Sequence, residues 1–212
     1  MHMLEPMTRG PAHAAAQPQG SESLPDLLLI ERARAGERRA IEALTRRYSR
    51  RLFRCARSIV LDDGAAEEAV NESYAAAFRD LTRYQPNGKF AAWLTRLAVV
   101  EAQRARAGRD ARASGVAPDS AAPGLESAVD ALPEVFRTVF VLRVVEGIGG
   151  VETAASLELN ETTVRTRLFR ALRRVAAATG QRVTEAPELF ELSRERGERI
   201  VQRVLAQLPG QV

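Results

Sequence analysis

Between Thr162 and Val175 stand five arginines, Arg165, Arg167, Arg170, Arg173 and Arg174, with three threonines and no acidic residue. Wound at about 100° per residue, this segment puts Val164, Leu168, Ala171, Leu172 and Val175 in one stripe. Thr163, Thr166, Arg170 and Arg173 then take the opposite face, flanked by Arg165, Arg167 and Arg174. Like charges at this density repel one another and cost stability unless an anion compensates them. Phosphate is the natural anion. Guanidinium forks also fit guanine edges in a major groove, and threonine fits a phosphate or a thymine methyl. The chemistry on offer is nucleic-acid binding. A plainer reading is a solvated, arginine-rich helix: of 31 basic residues only Lys89 is lysine, a bias that a GC-rich genome imposes everywhere. The placement of the charges has to decide, not their number.

The elements that must hold this face can be read around it. Upstream, Gly150 to Leu157 offers Val151, Ala154, Ala155 and Leu157 for packing, Leu159 as a turn contact, and Asn160 as an N-cap for the arginine-bearing helix. Two helices joined by so short a turn have helix-turn-helix spacing. Elsewhere apolar residues recur at three and four positions rather than alternating, which predicts an all-α protein. It divides into a disordered tail (1–23), a helical block (24–110), a small-residue linker (111–126), a second helical block holding the helix-turn-helix (127–180), and a C-terminal extension (181–212).

In the first block, a helix over Ala66 to Leu81 turns Val70, Tyr74, Ala77, Phe78 and Leu81 inward and Glu67, Glu68, Asn71 and Glu72 outward, with Asp63 as its expected N-cap. After the Pro86-Asn87-Gly88 turn, a helix from Phe90 carries Trp93, Leu94, Leu97 and Ala98 on its apolar side and Arg96, Arg104, Arg106 and Arg109 toward its end. Trp93 reads as core. In the extension, Ile200, Val201, Val204, Leu205 and Leu208 at helical spacing predict a helix packed back on the second block, with a docking surface or regulatory tail as the competing reading.

Composition removes most alternatives. The chain has 212 residues, 45% hydrophobic and 27% charged, with a net charge of +4, enough for two small globular domains. Cys55 is the single cysteine, so no internal disulfide and no multi-cysteine metal site is expected. The two histidines, His2 and His13, lie in the tail. There is no glycine-rich phosphate loop and no GxSxG elbow. The expectation is a non-enzyme without cofactor or metal. No apolar run of about 18 residues occurs, and the expected location is the cytoplasm.

Flanking residues narrow the DNA-binding reading. Leu132-Pro133-Glu134, then Phe136 to Arg143 and Val145-Glu146-Gly147, resemble the opening of the fourth conserved region of bacterial sigma factors. Ala66 to Tyr74 and Phe90 to Ala98 resemble the second conserved region. The chain from Leu24 to Thr179 is similar to an extracytoplasmic-function sigma factor of the sigma-70 family, with regions two and four alone. That resemblance implies RNA polymerase core, promoter DNA and an anti-sigma factor as partners. It implies core-polymerase docking through Glu67, Glu68, Asn71 and Glu72. It implies minus-ten recognition through Arg96, Arg104 and Arg106, with Trp93 or the Tyr84 to Lys89 loop at the base. It implies minus-35 recognition through Thr163, Arg165, Thr166, Arg167, Arg170 and Arg173. Two positions depart from the pattern: family members often have Asn where Val100 stands and Gly where Glu158 stands, the second pointing to a left-handed backbone. A stand-alone helix-turn-helix repressor and a sigma-like interaction module that does not initiate are the competing readings.

Overall fold

The computed structural model describes residues 24–85, 89–110 and 124–207. The tail, most of the expected linker and the Pro86-Asn87-Gly88 turn lie outside them, as does Leu208. Among the described residues the chain is all-helical. The helices are α1 (Asp26–Arg34), α2 (Arg38–Val60), α3 (Asp63–Asp80), α4 (Phe90–Asp110), α5 (Leu125–Asp130), α6 (Glu134–Phe140), α7 (Gly150–Leu157), α8 (Glu161–Thr179) and α9 (Arg194–Ala206). Val141–Val145 continues α6 as a π-helical turn. The cap of α3 falls one residue before the expected Asp63: Asp62 accepts the Ala65 N–H at 2.7 Å.

α2 forms the axis of a first bundle, packed by α1, α3, α4 and α9. Leu44, Leu52, Phe53 and Ile59 of α2, Val70 and Tyr74 of α3, and Leu94 and Ala98 of α4 are buried in its core. A second core gathers α5, α6 and α8 around Val129, Phe140, Val141, Ala171 and Val175. Val139, Ala154 and Val164 form a small cluster holding α7 and α8 against α6.

The two cores meet. Cys55 of α2 is buried with Leu142 and Ile148, and Val99 and Leu157 close the cluster. Val139 to Leu142 are four consecutive buried residues. That is the pattern of a helix covered on every side, here by its own bundle and by α2.

The C-terminal helix does not go where its sequence suggested. Ile200, Val201, Val204 and Leu205 pack into the first core, against α2 and α3, not on the helix-turn-helix block. The connecting segment does cross the second block, where Ala186, Leu189 and Phe190 are buried. It is held on the way: Arg54 of α2 donates to the carbonyls of Pro187 and Phe190 and to Glu146.

Candidate nucleic-acid and protein-docking interfaces

α8 begins where Asn160 accepts the Thr163 N–H at 2.7 Å, satisfying one of the open donors of its first turn. Val164, Ala171 and Val175 are buried, as the stripe requires. Arg165, Thr166, Arg170, Arg173 and Arg174 are exposed, and Thr163 and Arg167 half-buried. Among the described residues none of these five arginines has a carboxylate partner. Arg173 lies over the ring of Phe169 at 5.8 Å and Arg174 over that of Phe136 at 5.6 Å. Stacking of this kind restrains a guanidinium without neutralising it. Phe169 itself is 60% exposed, a feature the periodic stripe gave no reason to expect.

The basic residues of α4 are differently placed. Arg96 pairs with Glu158 at 3.0 Å, Arg104 with Glu101 of its own helix at 2.7 Å, and Arg106 with Glu134 at the start of α6. Glu158 follows α7 with φ 54° and ψ 43°, the left-handed conformation its position suggested, and its carboxylate reaches across to α4. Lys89 and Arg51 both bind Glu152 of α7. Burial raises the pKa of Glu152, but the hydrogen bonds from Lys89 and Arg51 outweigh it and hold the carboxyl below its ordinary value. α7 is therefore fastened to the first bundle by charge.

Beside these pairs lies a cleft of about 530 Å³ lined by Arg83, Tyr84, Gln85, Lys89, Trp93 and Arg96, with Ala155 of α7 also on its wall. Trp93 belongs partly to the core, as expected, and partly to this cleft. Its ring stands 4.8 Å from Tyr84 and 5.5 Å from Phe90. An aromatic wall bordered by Arg83, Lys89 and Arg96 can take an unstacked base and its phosphate.

The acidic residues of α3 do not share one environment. Glu68 and Glu72 are exposed. Glu67 is bound by Arg196 at 3.1 Å and Arg199 at 2.8 Å, both from α9. The Arg199 hydrogen bond leads the causes that hold its pKa below the ordinary carboxylate range. Asn71, expected to face outward, is instead 1% exposed, because its side of α3 lies within the bundle, and neither atom of its side-chain amide has a hydrogen-bond partner.

Comparison with known proteins agrees with this geometry. A family model described as Sigma-70 region 2 matches residues 44–112, and one described as Sigma-70, region 4 matches residues 124–175. The chain belongs to the sigma-70 family. Region 2 thus takes in α3, α4 and the aromatic cleft, and region 4 takes in α5 through most of α8; α9 lies beyond both. The ECF RNA polymerase sigma-E factor of Salmonella typhimurium is 28% identical over 177 residues, covering 71% of this chain and 92% of that protein. The RNA polymerase sigma-H factor of Pseudomonas aeruginosa is 26% identical over 187 residues, covering 76% and 97%. Among solved structures, CnrH in complex with the cytosolic domain of CnrY is similar at 28% identity and a TM-score of 0.58, over 72% of this chain and 95% of that one.

Proposed function

We propose that this sigma-70 family protein brings the RNA polymerase core to specific promoters and starts transcription there, without a catalytic step of its own. The observation that carries the reading is the outward face of α8 from Thr162 to Val175, which bears five arginines and no acid, in a chain that also holds a region 2. Thr163, Arg165, Thr166, Arg167, Arg170 and Arg173 are assigned to the minus-35 element, where arginine forks select bases and phosphate contacts set the register. Arg96, Arg104 and Arg106 are assigned to the minus-ten element, with the Tyr84 and Trp93 cleft taking a base out of the stack. Glu67, Glu68, Asn71 and Glu72 are assigned to docking on the core enzyme.

In the closed arrangement Arg96, Lys89 and Arg51 are occupied by carboxylates of region 4. Promoter opening on this reading requires α7 to leave the cleft, exchanging those carboxylates for DNA phosphates. A protein that binds both regions in the closed form would hold the factor silent. The cytosolic domain of CnrY, seen in complex with the similar CnrH, is the model for such a partner, and an anti-sigma factor is proposed here on that basis.

Run-off transcription from genomic promoter fragments, with purified core polymerase and with or without this protein, tests the function. Discrete transcripts that depend on the protein are expected. Binding to core without any transcript would favour the non-initiating module, and failure to bind core would remove the sigma reading altogether.

A further inference from the structure

We propose that α9 is a built-in occluder of the α3 docking face, which the core polymerase has to displace before it can engage region 2. The inference rests on the assignment of that face to core docking, made above. Its own evidence is the match between the two helices. Arg196 binds Asp63 at 2.6 Å and Glu67 at 3.1 Å, and Arg199 binds Glu67 at 2.8 Å. Further along, Arg203 joins Glu68, Glu72 and Glu101 on the wall of one cleft of about 570 Å³. Three arginines spaced three and four apart share one face of α9; the first two pair with Asp63 and Glu67 of α3, and the third borders the cleft that Glu68 and Glu72 line.

The second observation is Asn71. It continues the row of Asp63 and Glu67 one turn further along α3, and it is buried with both amide atoms unpaired. Buried amides almost always find partners. No residue of α9 pairs with this amide. α9 neutralises Glu67 and, through Ile200, Val201, Val204 and Leu205, plugs the neighbouring apolar groove, yet offers Asn71 nothing. A partner that pairs with Asn71 as well as Glu67 has an advantage in competing for the surface. The site available to such a partner is scaled by the fraction of molecules with α9 released, and the apparent affinity falls by the same fraction.

The tether gives the displacement a second consequence. The segment leading to α9 is pinned to the seam between regions 2 and 4 by Arg54, through Pro187 and Phe190. Release of α9 removes the far anchor of that segment, so core binding at α3 also loosens the contact that keeps region 4 closed on region 2.

Affinity of the full chain for core polymerase, measured by fluorescence anisotropy, tests the proposal. Arg196→Glu with Arg199→Glu removes the pairs to Asp63 and Glu67 and leaves α3 untouched; the double variant is expected to bind core about tenfold more tightly, equivalent to 1.4 kcal/mol. Glu68→Arg with Glu72→Arg, at exposed positions outside the α9 ion pairs, is expected to weaken core binding. If it does not, the docking assignment fails and the occlusion proposal with it. If it does, but the arginine variant binds no more tightly than the unmodified protein, the docking assignment stands and occlusion is overturned. Hydrogen exchange on the unmodified protein guards against a variant that folds poorly. Amides of 200–206 should lose protection when core polymerase is added, and full retention of that protection in the complex would overturn the proposal independently.

Discussion

Replacing Arg54 by methionine tests how regions 2 and 4 are held together. The Arg54 side chain is 4% exposed and its carboxylate partner Glu146, 2.7 Å away, 6%. Arg54 also caps the carbonyls of Pro187 and Phe190. Methionine keeps the length and the apolar stem while deleting every donor. Glu146 is then left buried with Arg50 alone, an exposed side chain 3.8 Å distant. Stranding one partner of a buried pair costs about 3–5 kcal/mol, a large share of the roughly 5–15 kcal/mol that keeps a domain folded. At about 2–4 °C per kcal/mol for a chain of this size, the midpoint in a calorimetric scan should fall by roughly 6–20 °C. Adding Glu146→Leu removes the stranded charge and should recover much of the loss, because a well-packed apolar pair often equals a buried ionic one. A loss below about 1 kcal/mol, the value of an exposed pair, would refute the reasoning, as would a double variant no more stable than the single.

Three further outcomes are expected. Glu152 has a folded-state pKa below its unfolded value, so its pairing with Arg51 and Lys89 stabilises the protein above the ordinary carboxylate range and is lost as pH falls through the folded value. Glu152→Gln should therefore be the less stable protein at pH 7, with the gap closing as pH falls below the ordinary carboxylate range; denaturant titrations showing a constant gap would contradict this. Glu158 pairs with Arg96 from a left-handed backbone, which costs a non-glycine residue about 1–2 kcal/mol, partly offset in a glycine variant by chain entropy. Glu158→Gly should leave stability unchanged or up to about 1 kcal/mol higher, whereas Glu158→Val, which β-branching fits worse to positive φ, should lower it in the same titration. Cys55 is buried in the seam, and burial pushes its thiol up to about 12. A thiol reagent at pH 8 should label it slowly in the free protein and faster wherever regions 2 and 4 separate, while prompt labelling of the free protein would contradict the closed arrangement.

The features that were legible in the sequence are those set by local chemistry. The stripe of Val164, Ala171 and Val175 and the Asn160 cap depend only on helix period and on a side chain three residues from its donor, and both stand as read. Two adjacent aspartates can each cap α3, and composition could not say that Asp62 rather than Asp63 does so. For α9 the apolar stripe specified which face is buried but not what covers it; its partner is set by Arg196 and Arg199 meeting Asp63 and Glu67, residues 129 to 133 positions away. The same limit hid Arg54, Arg57 and Arg137. In a chain so rich in arginine nothing local separates a buried fork that binds carbonyls and carboxylates across the seam from a solvated one. Trp93, read as core, also lines the cleft, because a large amphipathic ring at a bundle edge has surface enough for each.

The promoter-recognition claim is tested most directly by the variant Arg165→Ala, Arg167→Ala, Arg170→Ala, assayed beside the unmodified protein for run-off transcription and, on the same samples, for core polymerase binding. Since the three side chains have no carboxylate partner among the described residues, the variant should fold and bind core as before yet lose the discrete transcripts, and transcripts that persist unchanged would show that the face of α8 does not read the promoter.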